Sequence, residues 1–446
     1  MANTYISKAT SGTPTNNKKW TYSCWVKRNK LGEGSNSDRI YIHERGSGHA
    51  HTHKIEFGFS NDNKFFFGTW DGSAEYHSKT DRQFTDINCW YHIVVACDST
   101  QSTNTDRLKF YFNGEQYLGG YSSGPSYPAQ DWVFNSNTWT HHLGVYVSSS
   151  GAGNYLNGCI SDFCFVDGQQ LTPTSFGETD TDTGEWRMKD FSASDITWGT
   201  NGYRILKDGS SLTDVSSNSH NFTLGGGTLT NTEDCPSNVF ATNNYNWKQE
   251  SSRFLSHTCG NTMISGQGSS TWYQTPATLA FNKGKFYWEC KFNASTNLDK
   301  NTAGVIDYQK TQEDGQFQDA TGSVFYKNED GGETRLDATT SSADYGTLAQ
   351  NDILGVAVDM DATTPTVKFY KNGSLLVTVN ASSLAGKFVT PAQSVYTSGE
   401  YQVNYGNGYF GTTAISSEGT NASGIGKFEL DVPSGYTALS TKGINT

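Results

Sequence analysis

Two short runs lying more than half the chain apart share one design: "LKFYFNGEQ" from Leu108 and "VKFYKNGSL" from Val367. In the first, Leu108, Phe110 and Phe112 alternate with Lys109 and Tyr111; in the second, Val367 and Phe369 alternate with Lys368 and Tyr370. A period of two sends successive side chains to opposite faces of an extended strand, so each run reads as a strand with one apolar and one mixed, outward face. Asn113-Gly114 and Asn372-Gly373 follow, and both residue types tolerate the positive φ that a type I′ hairpin turn requires. A longer apolar run precedes each copy, "CWYHIVVACDST" at 89–100 and "NDILGVAVDMDATT" at 351–364. Both halves therefore read as apolar strand, polar turn, aromatic strand, Asn-Gly turn: one hairpin design in two separate sandwiches.

The rest of the chain agrees. "WTYSCWVKR" (20–28) and "KFYWECKF" (285–292) alternate cleanly, and "KIEFGFSNDNKFFFGTW" (54–70) reads as two strands around Asn61-Asp62-Asn63. Clear helix signals are absent. The chain is 13% aromatic with 47 Gly but only 17% charged, which suits aromatic strands joined by neutral polar turns rather than disorder or helix. At 446 residues it exceeds one ordinary core. The expectation is an all-β protein with two antiparallel β-sandwich (jelly-roll) domains, 1–178 and 248–446. An ordered polar connector at 179–247 joins them, with short strands at "GYRILKD" and "HNFTLGG".

Several function classes are disfavoured. The net charge is -12 with no basic block, so nucleic acid is not an expected partner. No run is apolar for long enough to cross a bilayer, and "MANTYISKATSGTPTNN" lacks the basic-then-apolar pattern of a secretory signal. Cys24, Cys89, Cys97 and Cys290 sit in strand-like runs, where a thiol acts as a small hydrophobe. "CISDFC" (Cys159, Cys164) has neither redox nor zinc spacing, so reduced cysteines are expected, with an interstrand disulfide as the alternative.

Candidate chemistry is sparse. Retaining glucanases on such sandwiches use an E-x-D-x-x-E strand that sets acid and nucleophile about 5–5.5 Å apart. Here "ETDTDT" ends in Thr and "ELDVPS" in Ser, and no GxSxG or Walker A loop occurs, so no catalytic residue is expected. In "GSGHAHTHKIEF", His49, His51 and His53 alternate, so a strand would aim all three one way, as transition-metal ligands or as a plain polar edge. Asp180 and Asp182, and again Asp359 and Asp361, offer carboxylates of the kind calcium takes, although such acidic turns are commonly just solvated. Sugar recognition needs loop aromatics with polar neighbours. "GTWDGSAEYH" supplies Trp70, Asp71, Tyr76 and His77, and "NSNTWTHHLG" supplies Trp139, His141 and His142. Each group taken singly better fits a strand end whose Trp caps the core, and burial against a neighbouring subunit is a further fate.

Longer motifs carry a family resemblance. "NGCISDFCFVDGQQLTP" (157–173) resembles the closing strand of concanavalin A-like, laminin-G-type jelly rolls. "DVSSNSHNFT" (214–223) is similar to their D-x-S-G-N-x-H-x-x-T signature, with Ser217 where Gly is usual. "GKFYWECKF", "NDILGVAVDMD", "VKFYKNGSL" and "PSGYTAL" resemble a SPRY-like sandwich. Together with the D-x-P-x-N-x-F-A-T connector at 234–242, this order looks like virion structural proteins of marine tailed bacteriophages. The resemblance implies a non-enzymatic fibre, spike or decoration protein at the virion surface, made in the bacterial host cytoplasm. Its implied partners are other virion proteins and a host-surface glycan. A polysaccharide depolymerase and a purely structural cement protein are the alternatives. Such projections are commonly homotrimers, but this chain has no heptads or collagen triplets to enforce one.

Overall fold

The computed structural model describes residues 3–10, 12–32, 37–45, 53–70, 75–133, 139–148, 151–247, 255–268, 270–293, 297–312, 315–341 and 343–446. Antiparallel sheets dominate, and the α-helix among the described residues is limited to Asn104–Arg107 and Thr441–Ile444. The chain divides into two compact units, Ala2–Asn231 and Thr232–Thr446.

In the first unit an eight-stranded sheet faces a six-stranded one. The eight-stranded sheet runs Tyr121–Ser123, Glu75–Gln83, Lys64–Trp70, His53–Phe59, Asp38–Arg45, Thr140–Leu143, Tyr5–Ala9, Thr223–Gly226. The other runs Tyr203–Ile205, Gly158–Asp167, Lys19–Arg28, Trp90–Asp98, Leu108–Phe112, Glu115–Gln116. The inward-facing alternates Trp20, Tyr22, Phe57, Phe65, Phe110 and Phe165 fill the space between them. The second unit repeats the plan: Lys285–Phe292, Ile353–Asp359, Thr366–Lys371 and Ser374–Asn380 lie side by side in one sheet. Trp272–Pro276, Val389–Tyr396, Thr302–Asp307 and Ser323–Lys327 lie side by side in the other.

The polar stretch 179–247 is shared between the units rather than standing apart from both. Tyr203–Ile205 pairs with Gly158–Asp167, and Thr223–Gly226 with Tyr5–Ala9, so 179–231 completes the first unit. Its polarity reflects local hydrogen bonding. The Asp214 carboxylate accepts the N–H groups of Arg204 (2.8 Å), Ser216 (2.8 Å) and His220 (2.6 Å), while Asn218 Nδ2 donates to the Gly199 and Gly202 carbonyls. The "DVSSNSHNFT" motif is thus a turn stapled by its own polar side chains.

Both Asn-Gly pairs adopt the left-handed conformation at each residue: Asn113 and Gly114 have φ 50° and 84°, Asn372 and Gly373 have φ 47° and 86°. The choice of Asn has a second cause. Its amide N–H donates to a carbonyl of the preceding strand, and its Oδ1 accepts the N–H of that same residue. The partner is His92 in the first unit (2.9 and 2.8 Å) and Ile353 in the second (2.9 and 2.9 Å). One side chain closes the turn and finishes the neighbouring strand.

The mixed faces of these strands do not meet water as their sequence suggests. Tyr111 is buried with Val94 and Val166 under Phe176, Phe191 and Trp198, an extra layer over the six-stranded sheet. In the second unit Phe428, Val432 and Tyr436 cover Tyr287 and Ala357, with Tyr370 half-buried beside them. Burial on both faces explains why Trp90–Asp98 is a continuous apolar run with every position buried. All eight cysteines are free. Cys24, Cys97, Cys164 and Cys290 are buried, whereas Cys89 is half-buried just before the Trp90–Asp98 strand rather than in it.

Candidate functional site

The outer face of the eight-stranded sheet gathers the polar and aromatic groups best placed to meet a ligand. Register fixes its rows. Glu44, Lys54, Trp70 and Glu75 stand side by side on four strands, and Ile42, Glu56, Gly68 and His77 form the next row. Arg39 Nε donates to Glu56 Oε2 at 2.8 Å and Lys54 Nζ to Oε1 at 2.8 Å. Burial alone would raise the Glu56 carboxyl, but the two cations outweigh it and hold it below its ordinary value. The Arg39 guanidinium also covers Phe66 at 4.3 Å and Tyr146 at 5.2 Å. Gly68 brings no side chain, and the Glu56 arm and the His77 ring close over that position, 3.5 and 3.7 Å from where a Cβ would stand. On this side of the sheet Trp70, His77 and Tyr146 are half-buried. Burial lowers the His77 imidazole, with Glu75 and Glu56 opposing, so His77 is neutral and able both to donate and to accept.

The candidate residues separate across this sheet. Trp70 and His77 share the outer face, whereas Tyr76 pairs with Thr69 and turns inward, its ring 6.0 Å from Trp132. Asp71, His49 and His51 lie outside the described residues. Trp139 and His141 are not loop residues on display: they are 3% and 1% exposed, and His141 lies within the Thr140–Leu143 strand. His53 is also on the inner face, 5.8 Å from Trp139. Strand pairing sets the face: His141 opposes His43, and both carry inner-face parity with Tyr41 and Leu143.

Inside, these groups form a closed relay. His43 and His141 stack at 3.8 Å, and Thr10 Oγ1 bridges their Nε2 atoms at 3.4 and 3.1 Å. Tyr41 Oη donates to Tyr22 Oη at 2.9 Å. Tyr22 Oη lies 3.3 Å from His43 Nδ1, and His141 Nδ1 lies 2.5 Å from Tyr41 Oη. With Tyr41 donating to Tyr22, the cycle closes with Tyr22 donating to His43, His43 to Thr10, Thr10 to His141 and His141 to Tyr41. Each imidazole then donates once and accepts once, which only the neutral form can do. Burial drives the His43 imidazole down to about 3, and burial with the neighbouring His43 drives His141 down as well.

The transition-metal proposal turns on His49 and His51, outside the described residues, and the calcium proposal does not fit the side chains described. Among the described residues no group of three or more His, Cys, Asp or Glu is placed to hold a metal ion. Asp180 accepts the N–H groups of Asp182 and Thr183 and pairs with Arg187 at 2.5 Å. Asp359 caps Asp361 and Ala362 and pairs with Lys285 at 2.9 Å. These carboxylates close turns.

A fold-level likeness accompanies this geometry. Residues 2–173 match the family model described as the concanavalin A-like lectin/glucanases superfamily. Among solved structures, the chain is similar to the SPRY domain of human HERC1, with TM-score 0.28, 16% identity, and coverage of 32% of this chain and 87% of that one. The TRIM65 PSpry domain gives TM-score 0.29, 16% identity, and 37% and 88% coverage. A heptameric SAP-like pentraxin from Limulus polyphemus gives TM-score 0.28, 15% identity, and 38% and 72% coverage. The search of curated proteins finds no match.

Proposed function

We propose that the first unit binds a glycan on the outer face of its eight-stranded sheet without cleaving it. In this reading the chain is a surface protein of a tailed-bacteriophage virion (fibre, spike or decoration) that meets a host-surface glycan and packs on other virion proteins. The observation that carries the binding reading is Trp70 and His77 sharing one sheet face with the Arg39–Glu56–Lys54 cluster, which the Tyr146 ring flanks. A pyranose offers an apolar C–H face to an aromatic ring and hydroxyls to charged and imidazole groups. The virion setting rests on the order of motifs along the chain. Screening the protein on a glycan array should give binding that Trp70→Ala weakens about tenfold, in line with the loss of one aromatic anchor. Retention of full affinity by Trp70→Ala would remove this face from the proposal. Cryo-EM of intact particles tests the virion setting.

A second reading, a polysaccharide depolymerase, draws on Glu44 and Glu56. These buried carboxylates lie diagonally on neighbouring strands of the same face. Commitment of both Glu56 oxygens to Arg39 and Lys54 favours the non-enzymatic reading. Reducing-end release from host envelope polysaccharide, abolished by Glu56→Gln, would reverse that preference.

A further inference from the structure

The second unit presents a feature with no counterpart among the sequence candidates. In a chain that is 13% aromatic, Tyr308 and Phe388 are the two exposed aromatic side chains among the described residues, at 47% and 57%. They are neighbours. The Tyr308 N–H donates to the Phe388 carbonyl at 2.8 Å, one step beyond the Asp307–Val389 pair that ends the ladder between Thr302–Asp307 and Val389–Tyr396. Val389 also exchanges backbone hydrogen bonds with Phe281, at 2.8 and 2.9 Å. That bridge is antiparallel, which sets Asn282 beside Phe388, and Lys283 follows on the bend that leads to Lys285–Phe292. Lys283 in turn opens a cleft of about 560 Å³ whose walls include Lys285, Asp361, Ser423 and Tyr436.

The charges along this path balance. Lys387 pairs with Asp307 at 3.7 Å and Lys285 with Asp359 at 2.9 Å, leaving Lys283 and Asp361 as one cation and one anion. Asp361 Oδ1 accepts the Gly284 N–H at 2.8 Å, which leaves Oδ2 as an acceptor toward the cleft. A balanced path does not select an ion, and a cleft walled by Lys283, Asp361 and Ser423 as well as by Phe286, Ala422 and Ile444 does not select a wholly apolar ligand. Two exposed rings leading to the Lys283 ammonium and the Asp361 carboxylate match a ligand that is apolar on one face and hydroxylated at its edge.

The geometry points to a second carbohydrate site here, for a neutral hexopyranose oligosaccharide. One sugar rests on Tyr308 and Phe388, and the adjoining sugars enter the cleft, where Lys283 donates to hydroxyls and Asp361 accepts from them. This site is independent of the one on the first unit. The test is calorimetric titration of the full chain with maltohexaose, cellohexaose and laminarihexaose, and with hexagalacturonate as an acidic counterpart. At least one neutral hexasaccharide should bind, with Tyr308→Ala and Phe388→Ala each weakening it roughly five- to tenfold, as expected for losing one ring contact. Trp70→Ala should leave that binding component unchanged. Both rings are exposed, so the urea midpoint of each variant should match the parent and confirm folding. Binding indifferent to both substitutions, preference for hexagalacturonate, or no binding of any neutral hexasaccharide would each overturn the proposal. Binding lost only on Trp70→Ala would overturn it while supporting the site on the first unit.

Discussion

His92 shows how much one side chain can be asked to do in this fold. Its ring lies between Trp25 and Trp186, with centroids at 4.8 and 5.8 Å. Trp186 Nε1–H donates to His92 Nδ1 at 3.0 Å, which fixes the proton on Nε2, facing Ser23 Oγ at 2.9 Å. Burial lowers its imidazole to about 3, as it does for His43. Unfolded, both titrate near 6.5. Between those values the unfolded chain binds more protons, so stability is full above pH ~6.5 and declines as the pH falls toward ~3, by up to ~1.4 kcal/mol per pH unit per site. The urea midpoint of the first unit should therefore drop steadily from pH 7 to pH 5. His92→Gln should lower the midpoint at pH 7 and flatten its slope. An unchanged slope in the variant would mean that His92 is not held neutral.

At the scale of the element, the repeated phrase was legible because its two signals are local. Period-two alternation and Asn-Gly chemistry depend on no distant residue, and both hairpins formed where the sequence put them. The hydrogen bonds that Asn372 makes to Ile353, and its Nδ2 donation to Asp352 at 2.8 Å, depend on the neighbouring strand. Asn372→Gly separates the two roles, since Gly keeps the backbone conformation and removes only the side-chain bonds. A loss of about 1 kcal/mol in the second unit is expected by chemical denaturation. Equal stability would show that turn conformation alone selects Asn. The same locality explains the misplaced sites. Trp139 and His141 have the composition of a display loop, but only strand pairing reveals that their parity points inward. Tyr76 and Trp70 are separated for the same reason. The Tyr308–Phe388 pair was invisible because its halves lie far apart in sequence and meet through one ladder.

Across the whole molecule, each buried apolar cluster draws its residues from one unit alone: one set lies within the first 231 residues and the other begins at Phe240. Cores without shared side chains have no reason to melt together, so chemical unfolding should show two transitions. Trp288, fully buried among Phe286, Val305 and Tyr405, identifies the second. Trp288→Ala should lower that transition by roughly 3–5 kcal/mol and leave the other in place. Acid should separate them further. In the second unit burial raises the Glu289 carboxyl to about 7, although Glu429 N–H, Leu430 N–H and Asn404 Nδ2 donate to it. Its unfolded value is near 4.5, so the folded state binds more protons between pH 4.5 and 7, and Glu289 adds stability as the pH falls through that window. Burial lowers His257 to about 4, which acts in the opposite sense. Acidification from pH 7 to pH 5 should therefore move the first unit's transition down while the second unit's holds nearly level. A single transition that shifts as one with either substitution or pH would show that the two sandwiches are energetically one body, despite having separate cores.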